Sequence, residues 1–180
     1  MIFDMTTNII ITGFGGQGIL FAGKILAYTA LMKGKQLSWL PSYGPEMRGG
    51  TANCHVIVSD DPVGSPIITE PDVLISMNKP SLDKFENLVV KDGTILFDSS
   101  LIDREVARDD VKSVAVPATG MATDAGKAGM ANMIMLGALI KATGVFTLDE
   151  IRAGVEKTVP ASKQHLIDVN MEMIEKGYNL

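Results

Sequence analysis

The chain has 180 residues, of which 46% are hydrophobic and 21% charged, with a net charge of −5. This composition is typical of one globular domain, and the scattered lysines and arginines do not form the basic stripe that nucleic-acid binding requires. A single cysteine excludes an internal disulfide, and the longest nearly uncharged run, residues 128–140, is shorter than the roughly 20 residues that cross a bilayer. The first residues lack the basic start and apolar stretch of a signal peptide. We therefore expect a single cytoplasmic domain over residues 1–180, with no nucleic-acid binding and no membrane insertion.

The N-terminal half is predicted to alternate strands with helices. Residues 8–12 form a short apolar strand of the kind that is buried on both faces of a sheet, and a glycine-rich turn follows it. Helix 19–33 has a wide apolar face and ends before Gly34, at the position of a C-cap glycine. Further strands are predicted at residues 37–40, 52–59 and 73–77, with a loop over residues 41–51.

The C-terminal half contains two more strands and then becomes helical. Asn78 is placed to cap a helix that extends to about residue 89. Thr147 and Glu150 form a capping box, and Gly177 is placed at the end of the last helix. Strands are predicted at 94–98 and 111–116, and helices at 124–143, 148–157 and 162–176. The alternation predicts an α/β fold with a doubly wound, mostly parallel sheet, helices on both faces and a helical C-terminal third.

The turn after the first strand has the spacing of a dinucleotide-binding fingerprint. Gly13, Gly15 and Gly18 satisfy G-x-G-x-x-G between a predicted strand and a predicted helix, where backbone N–H groups can approach an anion. An NAD site also needs a carboxylate about 20 residues further on, at the end of the second strand. Residues 38–42 read SWLPS instead, and no arginine for an NADP phosphate precedes Arg48. Three interpretations stay open: a dinucleotide site, a site for another anion or a partner chain, and a tight turn that binds nothing.

The loop over residues 42–50, SYGPEMRGG, is the more specific feature. It should leave the carboxyl end of the second strand beside the glycine turn, at the edge where open α/β sheets bind ligands. Tyr43, Glu46 and Arg48 place a phenol, a carboxylate and a guanidinium within six residues. The competing interpretation is a solvated loop whose Glu46–Arg48 pair contributes at most about 1 kcal/mol. Because a plain surface loop seldom combines these side chains with paired glycines, we expect a structured loop that meets a ligand or another subunit.

Residues 128–140 form a segment that is apolar on every side, so all of its faces must be covered. One account is a central helix inside a large core. The other is an interface with a partner that uses Met130, Met133 and Met135, since methionine suits adaptable contact surfaces. Both accounts can hold in part.

Four stretches of the chain together resemble the gamma subunit of 2-oxoacid:ferredoxin (acceptor) oxidoreductases. They are GFGGQG at 13–18, YGPEMRGGTAN at 43–53, DVLISMNKPS at 72–81 and NMIMLGA at 132–138. The resemblance covers nearly the whole chain and implies a Rossmann-like form of the predicted α/β domain. The loop with GPEMR is more similar to the 2-oxoglutarate and branched-chain 2-oxoacid types than to the pyruvate type.

This resemblance implies oxidative decarboxylation of a 2-oxoacid, here 2-oxoglutarate, with coenzyme A to succinyl-CoA, CO₂ and reduced ferredoxin or another reduced electron acceptor. The complex is expected to use thiamine diphosphate, Mg and [4Fe–4S] clusters through alpha, beta and delta partner subunits. This chain alone is expected to bind none of them, because a cluster needs four thiolates and only Cys54 is present. A thiamine motif, Gly-Asp-Gly with a later Asn, is also missing, and we interpret residues 91–94, KDGT, as a turn. The chain should complete the active-site and coenzyme A region without being active alone.

The candidate residues for cofactor binding or subunit contact are Gly13, Gly15, Gly16, Gln17, Gly18, Ser42, Tyr43, Glu46, Arg48, Gly49 and Asn53. No catalytic residue and no metal ligand is assigned. Cys54 and His55 are adjacent on a predicted strand, so they point to opposite faces and cannot chelate one metal, and Cys54 should be a small buried residue. The alternative function is a stand-alone NAD(P)-binding reductase, which the complete glycine motif would suit.

Overall fold

The computed structural model describes residues 6–43 and 51–180, with the backbone only at Tyr43. Over these residues the chain forms a six-stranded sheet and six α-helices. The strands are β1 (Thr7–Phe14), β2 (Gln36–Tyr43), β3 (Thr51–Ser59), β4 (Val73–Ser76), β5 (Thr94–Asp98) and β6 (Lys112–Val116). The helices are α1 (Ile19–Met32), α2 (Lys79–Phe85), α3 (Ala118–Asp124), α4 (Ala131–Thr143), α5 (Leu148–Thr158) and α6 (Ile167–Tyr178).

The strand order is β2-β3-β1-β4-β5-β6. The pairs β1–β4, β4–β5 and β5–β6 are parallel, whereas β3 runs antiparallel to both β1 and β2. The predicted α/β class is confirmed, but the sheet is mixed, because β2 and β3 form a hairpin that inserts β3 between β1 and β2. The link between these strands, residues 44–50, is shorter than the dozen or so residues that a parallel crossover requires.

Helices cover both faces of the sheet, as predicted. On one face, α1 and α3–α6 pack on Ile9, Ile11, Ile75 and Leu96, all at most 1% exposed. On the other face, α2 and the segments around it cover Ile10, Leu74 and Ile95. None of the described helices has both the length and the apolar character needed to cross a membrane.

Helix α4 lies inside the larger core. Every residue from Ala131 to Ile140 is buried, and Met133 and Met135 are each 1% exposed. The structure therefore supports the core account of this apolar segment at both methionines. Met130 precedes α4 and is partly buried.

Several helix ends follow local signals in the sequence. Asn78 Oδ1 accepts the Ser81 N–H at 2.8 Å, and Thr147 and Glu150 cap α5 reciprocally. Three predicted helices differ from the structure. The helix expected to extend to about residue 89 ends at Phe85 and is followed by a 3₁₀ turn at Glu86–Leu88. The helix expected over 124–143 begins only at Ala131, because Gly126 has a left-handed φ of 68° and a 3₁₀ turn follows it, and α3 before it was not predicted. The last helix begins with a 3₁₀ segment at Ala161–Leu166 and continues past Gly177 to Tyr178.

Candidate functional site

The predicted site lies where the direction of the sheet's winding reverses. From β1 the chain moves to β2 and β3 on one side, and from β4 it moves to β5 and β6 on the other. The carboxyl ends of β1 and β4 are therefore adjacent at the switch point of the sheet, where open α/β folds place ligands. The turn between β1 and α1, residues 15–18, lies at this position.

The glycine turn has the tight backbone that its spacing predicts. Gln17 N–H donates to the Phe14 carbonyl oxygen at 3.2 Å, and Gly16 and Gly18 have left-handed φ values of 99° and 72°. A Cβ atom on Gly13 would lie 2.6 Å from Gln17 Oε1 and 2.7 Å from Ile19 Cδ1. Side chains are thus disfavoured at Gly16 and Gly18 by their left-handed conformation, whereas a side chain at Gly13 would require the ends of the Gln17 and Ile19 side chains to shift.

Gln17 joins the ends of the two strands at the switch point. Its side-chain Oε1 accepts the Phe14 N–H at 2.6 Å, and its Nε2 donates to the Met77 carbonyl oxygen at 3.1 Å. Phe14 ends β1, and Met77 directly follows β4. A single amide side chain therefore fixes the turn against the carboxyl end of β4.

Asn132 holds the other side of the turn and was not among the predicted site residues. Its Nδ2 donates to the Gly18 carbonyl oxygen at 3.1 Å, and a Cβ atom on Gly18 would lie 2.3 Å from the same nitrogen. Asn132 is 6% exposed in the first turn of α4. One signal could have identified it, since a lone amide within a buried apolar helix needs a hydrogen-bond partner.

The start of α1 is electrostatically suited to a negative group. Gly18 caps the helix without a side-chain hydrogen bond, and the first turn contains no acidic residue. The N–H groups of this turn and the positive end of the helix dipole are therefore not neutralised by a carboxylate of α1. This geometry suits an anion or the polar atoms of a partner chain equally.

Two depressions flank the turn. A groove of about 420 Å³ is lined by the turn, Phe14, Phe21, Lys24 and Trp39. A smaller cleft of about 180 Å³ lies on the other side, between Gln17, Met77 and the segment that leads into α4. A wider depression of about 720 Å³ lies between α3 and α6, and none of the predicted site residues lines it.

Of the remaining predicted residues, the structure describes Ser42, Tyr43 and Asn53, which lie at the end of β2 and near the start of β3. Tyr43 is level with Ala52 and Gly13 in the sheet, so β2 ends beside the glycine turn, as predicted. Ser42 pairs with Asn53 one position further along β3. Because Ala52 and Cys54 pack on the α1 face, Ser42 and Asn53 belong to the opposite face. Glu46, Arg48 and Gly49 lie outside the described residues.

Cys54 does not fit the role of an iron–sulfur ligand. Its side chain is fully buried, and the thiol donates to the Ile19 carbonyl oxygen at 3.6 Å. Burial raises the pKa of Cys54 to about 12, and a smaller contribution from the Trp39 side chain opposes this rise. The only cysteine of the chain is therefore a protonated core residue, whereas a cluster requires thiolates.

His55 lies on the other face of β3, as predicted. Its Nδ1 accepts the Ile68 N–H at 2.9 Å, and partial burial lowers its pKa. Within residues 6–43 and 51–180, no three His, Cys, Asp or Glu side chains come together in a group that could hold a metal ion. The polar groups around the glycine turn are backbone atoms and the amides of Gln17 and Asn132, and Lys24 adds an ammonium group in the adjoining groove.

The sheet order differs from that of dinucleotide-binding folds at one informative position. Those folds place the second strand beside the first and parallel to it, so that its carboxyl end reaches the ribose. Here β3 occupies that place and runs antiparallel to β1. The β3 residue that pairs with Phe14 is Thr51, at the amino end of the strand, and β3 contains no Asp, Glu, Lys or Arg.

Known proteins are similar to this chain in sequence and in fold. The family model described as pyruvate ferredoxin/flavodoxin oxidoreductase matches residues 8–180. The ketoisovalerate oxidoreductase subunit VorA of Methanothermobacter thermautotrophicus is 43% identical over 93% of this chain and 35% of its own. The 2-oxoglutarate synthase subunit KorC of Methanocaldococcus jannaschii is 32% identical over 98% of this chain and 94% of its own.

A solved structure agrees with these sequence relatives. The crystal structure of the keto/oxoacid ferredoxin oxidoreductase gamma subunit of Geobacter sulfurreducens is 30% identical, with a TM-score of 0.84, and covers 97% of this chain and 95% of its own. The chain spans about a third of the VorA relative but nearly all of KorC and of this gamma subunit. The family match over residues 8–180 shows that the chain belongs to the pyruvate ferredoxin/flavodoxin oxidoreductase family.

Proposed function

We propose that the chain is the gamma subunit of a multisubunit 2-oxoacid:ferredoxin oxidoreductase. The observation that carries this proposal is the match in length as well as sequence to KorC and to the solved gamma subunit, each aligned over at least 94% of its own chain. The glycine turn at the switch point supports it, because that edge of the domain is shaped to receive a ligand or a partner. We place the complex in the cytoplasm.

The proposed reaction breaks the bond between the carboxyl carbon and the keto carbon of 2-oxoglutarate. The carboxyl carbon leaves as CO₂, the keto carbon is oxidised to the thioester of succinyl-CoA, and the thiol of coenzyme A loses its proton. Two electrons are released, and two ferredoxins or an equivalent acceptor take one each. Alpha, beta and delta partner subunits complete this complex in our proposal.

The redox groups of this reaction are assigned to the partners. Thiamine diphosphate with Mg would stabilise the carbanion and [4Fe–4S] clusters would carry single electrons. The buried thiol of Cys54 does not suit a cluster. The part left to this chain is therefore to bind, orient and enclose, with no step of electron transfer on its own side chains.

We assign this role of binding and orienting to the glycine turn and to the loop that follows β2. Gly15, Gly16 and Gly18 would present backbone N–H groups to coenzyme A or to a partner chain, while Gly13 and Gln17 would hold the shape of the turn, since the Gln17 N–H already donates to Phe14. Tyr43, Glu46, Arg48 and Gly49 would extend that surface, since β2 ends level with Gly13 in the sheet. Ser42 and Asn53, which belong to the other sheet face, would contact a subunit there.

The substrate we propose is 2-oxoglutarate, because the KorC relative matches along both chains. Ketoisovalerate is the second candidate, since the VorA relative has the higher identity of 43%, although this chain spans only 35% of it. The GPEMR loop is compatible with both types.

The test is to purify the chain from its native source with whatever it binds and to identify the co-purified chains by mass spectrometry. We expect a thiamine-dependent partner and a cysteine-rich partner, and reduction of ferredoxin or a dye that requires coenzyme A and 2-oxoglutarate. If the complex turns over ketoisovalerate but not 2-oxoglutarate, the substrate assignment is wrong and the subunit assignment stands. A chain that purifies alone and binds NADH or NADPH at micromolar concentration would favour the reductase alternative and contradict the proposal.

The loop after β2 can be tested in the same complex. We expect Arg48→Ala to weaken assembly or turnover while the isolated chain keeps its fold. Arg152→Ala is the matched control, because Arg152 is a solvent-exposed arginine paired with Asp168 on another part of the molecule. Wild-type assembly and turnover of the Arg48 variant would contradict a role for this loop.

A further inference from the structure

A second groove lies between α1 and β2, next to the one beside the glycine turn. It encloses about 190 Å³ and is lined by Lys24, Ala27, Tyr28, Leu31, Leu37 and Trp39. Lys24 and Trp39 line both grooves, so the two form one continuous depression along α1. We call this surface the α1–β2 groove.

The side chains of the α1–β2 groove resemble those of a protein interface more than those of a solvated surface. Leu31, one of the lining residues, is 56% exposed. Trp39 is the only tryptophan of the chain and is partly exposed on this surface. Aromatic side chains are enriched in interfaces, and exposed apolar patches mark contact sites.

The strand that borders the groove is an edge strand without charged residues. Strand β2 is at one end of the sheet order, and its eight residues, QLSWLPSY, include no charged residue, although Pro41 limits backbone pairing at this edge. The strand at the opposite edge, β6, has five residues and begins with Lys112. The strand beside the groove is therefore uncharged, and a contact there would depend on its side chains more than on its backbone.

The charges around the groove indicate what kind of chain would cover it. Helix α1 contains Lys24 and no acidic residue, and Lys24 Nζ lies 5.6 Å from the centre of the Tyr28 ring. The described groove therefore presents one cation and no carboxylate from α1, so a chain with apolar residues and a carboxylate opposite Lys24 is complementary to it.

We propose that the α1–β2 groove is the docking site for a partner subunit of the complex, which inserts an apolar segment bearing an acidic residue that faces Lys24. The inference rests on the proposed function. The groove adjoins the glycine turn, so a partner seated on it would reach the proposed site.

The experiment compares two exposed aliphatic residues on different surfaces of the intact chain. Leu31→Lys places a charge in the groove near the C-terminal end of α1, where a cation is tolerated. Ile67→Lys is the matched control, because Ile67 is 62% exposed in the segment between β3 and β4. Each variant is co-expressed with the partner subunits, and the amount captured on a tagged partner is measured. Circular dichroism confirms that each isolated variant is folded.

We expect Leu31→Lys to reduce capture by roughly tenfold or more and Ile67→Lys to leave it unchanged. Lys24→Glu should reduce capture as well, with a larger effect at low salt, because its charge would oppose the partner's carboxylate. Normal capture of a folded Leu31→Lys chain would overturn the groove proposal and leave the proposed function standing. A wild-type chain that captures no partner would contradict the proposed function itself.

One further outcome separates a partner from a second copy. If the isolated wild-type chain is a dimer, Leu31→Lys makes it monomeric and capture by the partner is unaffected, then the groove binds another copy of the chain. Size-exclusion chromatography with light scattering measures this. That result would overturn the assignment of the groove to a partner subunit.

Discussion

Gly137 on α4 and Gly177 on α6 make reciprocal close contacts with the backbone of the opposite helix. A Cβ atom on Gly137 would lie 1.9 Å from the Ile174 carbonyl oxygen, and one on Gly177 would lie 1.9 Å from the Ile134 carbonyl oxygen. Both obstacles are backbone atoms, which cannot move aside as the end of a flexible side chain can. The two glycines therefore set how closely α6 approaches the buried helix α4, whose first turn holds Gly18 through Asn132.

The first prediction concerns this crossing. Gly137→Ala and Gly177→Ala should each lower the free energy of unfolding by about 3 kcal/mol or prevent folding, because the added methyl group forces the helices apart. Gly64→Ala is the control, since no atom lies within 4 Å of a Cβ at Gly64. Urea unfolding followed by circular dichroism gives the free energies. Equal stabilities for all three variants would show that the helices are not in this close contact.

The second prediction concerns the amide that bridges β1 and β4. Gln17→Glu keeps the shape of the side chain but replaces the donor to Met77 by an acceptor, so two oxygen atoms would face each other. We expect a loss of about 1–3 kcal/mol in unfolding free energy and lower turnover of the assembled complex. Gln164→Glu is the matched control, because the amide of this exposed residue donates to the Val159 carbonyl oxygen. A stable, fully active Gln17→Glu complex would contradict the bridging role.

The third prediction concerns the reactivity of the only thiol. Because Cys54 is fully buried and its pKa is raised to about 12, we expect Ellman's reagent to react with the native chain at neutral pH roughly a hundredfold more slowly than with the unfolded chain. In denaturing urea a full equivalent per chain should react. The measurement is the absorbance of the released thiolate, with Cys54→Ala as the blank. Rapid reaction of the folded protein would place Cys54 on the surface.

The fourth prediction concerns stability at acid pH. A hydrogen-bonded ion pair with Lys33, at 2.6 Å from Nζ to Oε1, lowers the pKa of Glu150 below the ordinary value of 4.5, and the Thr147 N–H contributes further. The unfolded chain therefore binds this proton more readily than the folded chain does. The stabilisation is complete above pH 4.5 and is lost as the pH falls through the lower native pKa.

Glu150→Gln should make unfolding less dependent on pH in this acid range. The neutral amide cannot be protonated there, so the part of the pH dependence that Glu150 causes disappears. Glu70→Gln, in the exposed segment before β4, is the control and should retain the wild-type pH dependence. Thermal unfolding midpoints between pH 3 and pH 7 measure the difference. An unchanged slope in Glu150→Gln would contradict the ion pair with Lys33.

Local signals in the sequence determined the element types, most helix ends and the chemistry that the chain can offer. Asn78, Thr147 and the apolar strands act through neighbours a few residues away, so their effects can be predicted without a fold. The single cysteine limited the redox chemistry of the chain in the same direct way. The glycine turn between the first strand and α1 was also predictable, because its spacing and its flanking elements are adjacent in the chain.

Only the tertiary structure decided which distant segments meet. It placed β3 between β1 and β2, joined Gln17 to Met77 across 60 positions, and joined Asn132 to Gly18 across 114. It also assigned Gly177 to a helix crossing, although its position near the chain end is typical of a helix terminus. These contacts depend on how whole elements pack, and periodicity and capping act within single elements and carry no information about that packing.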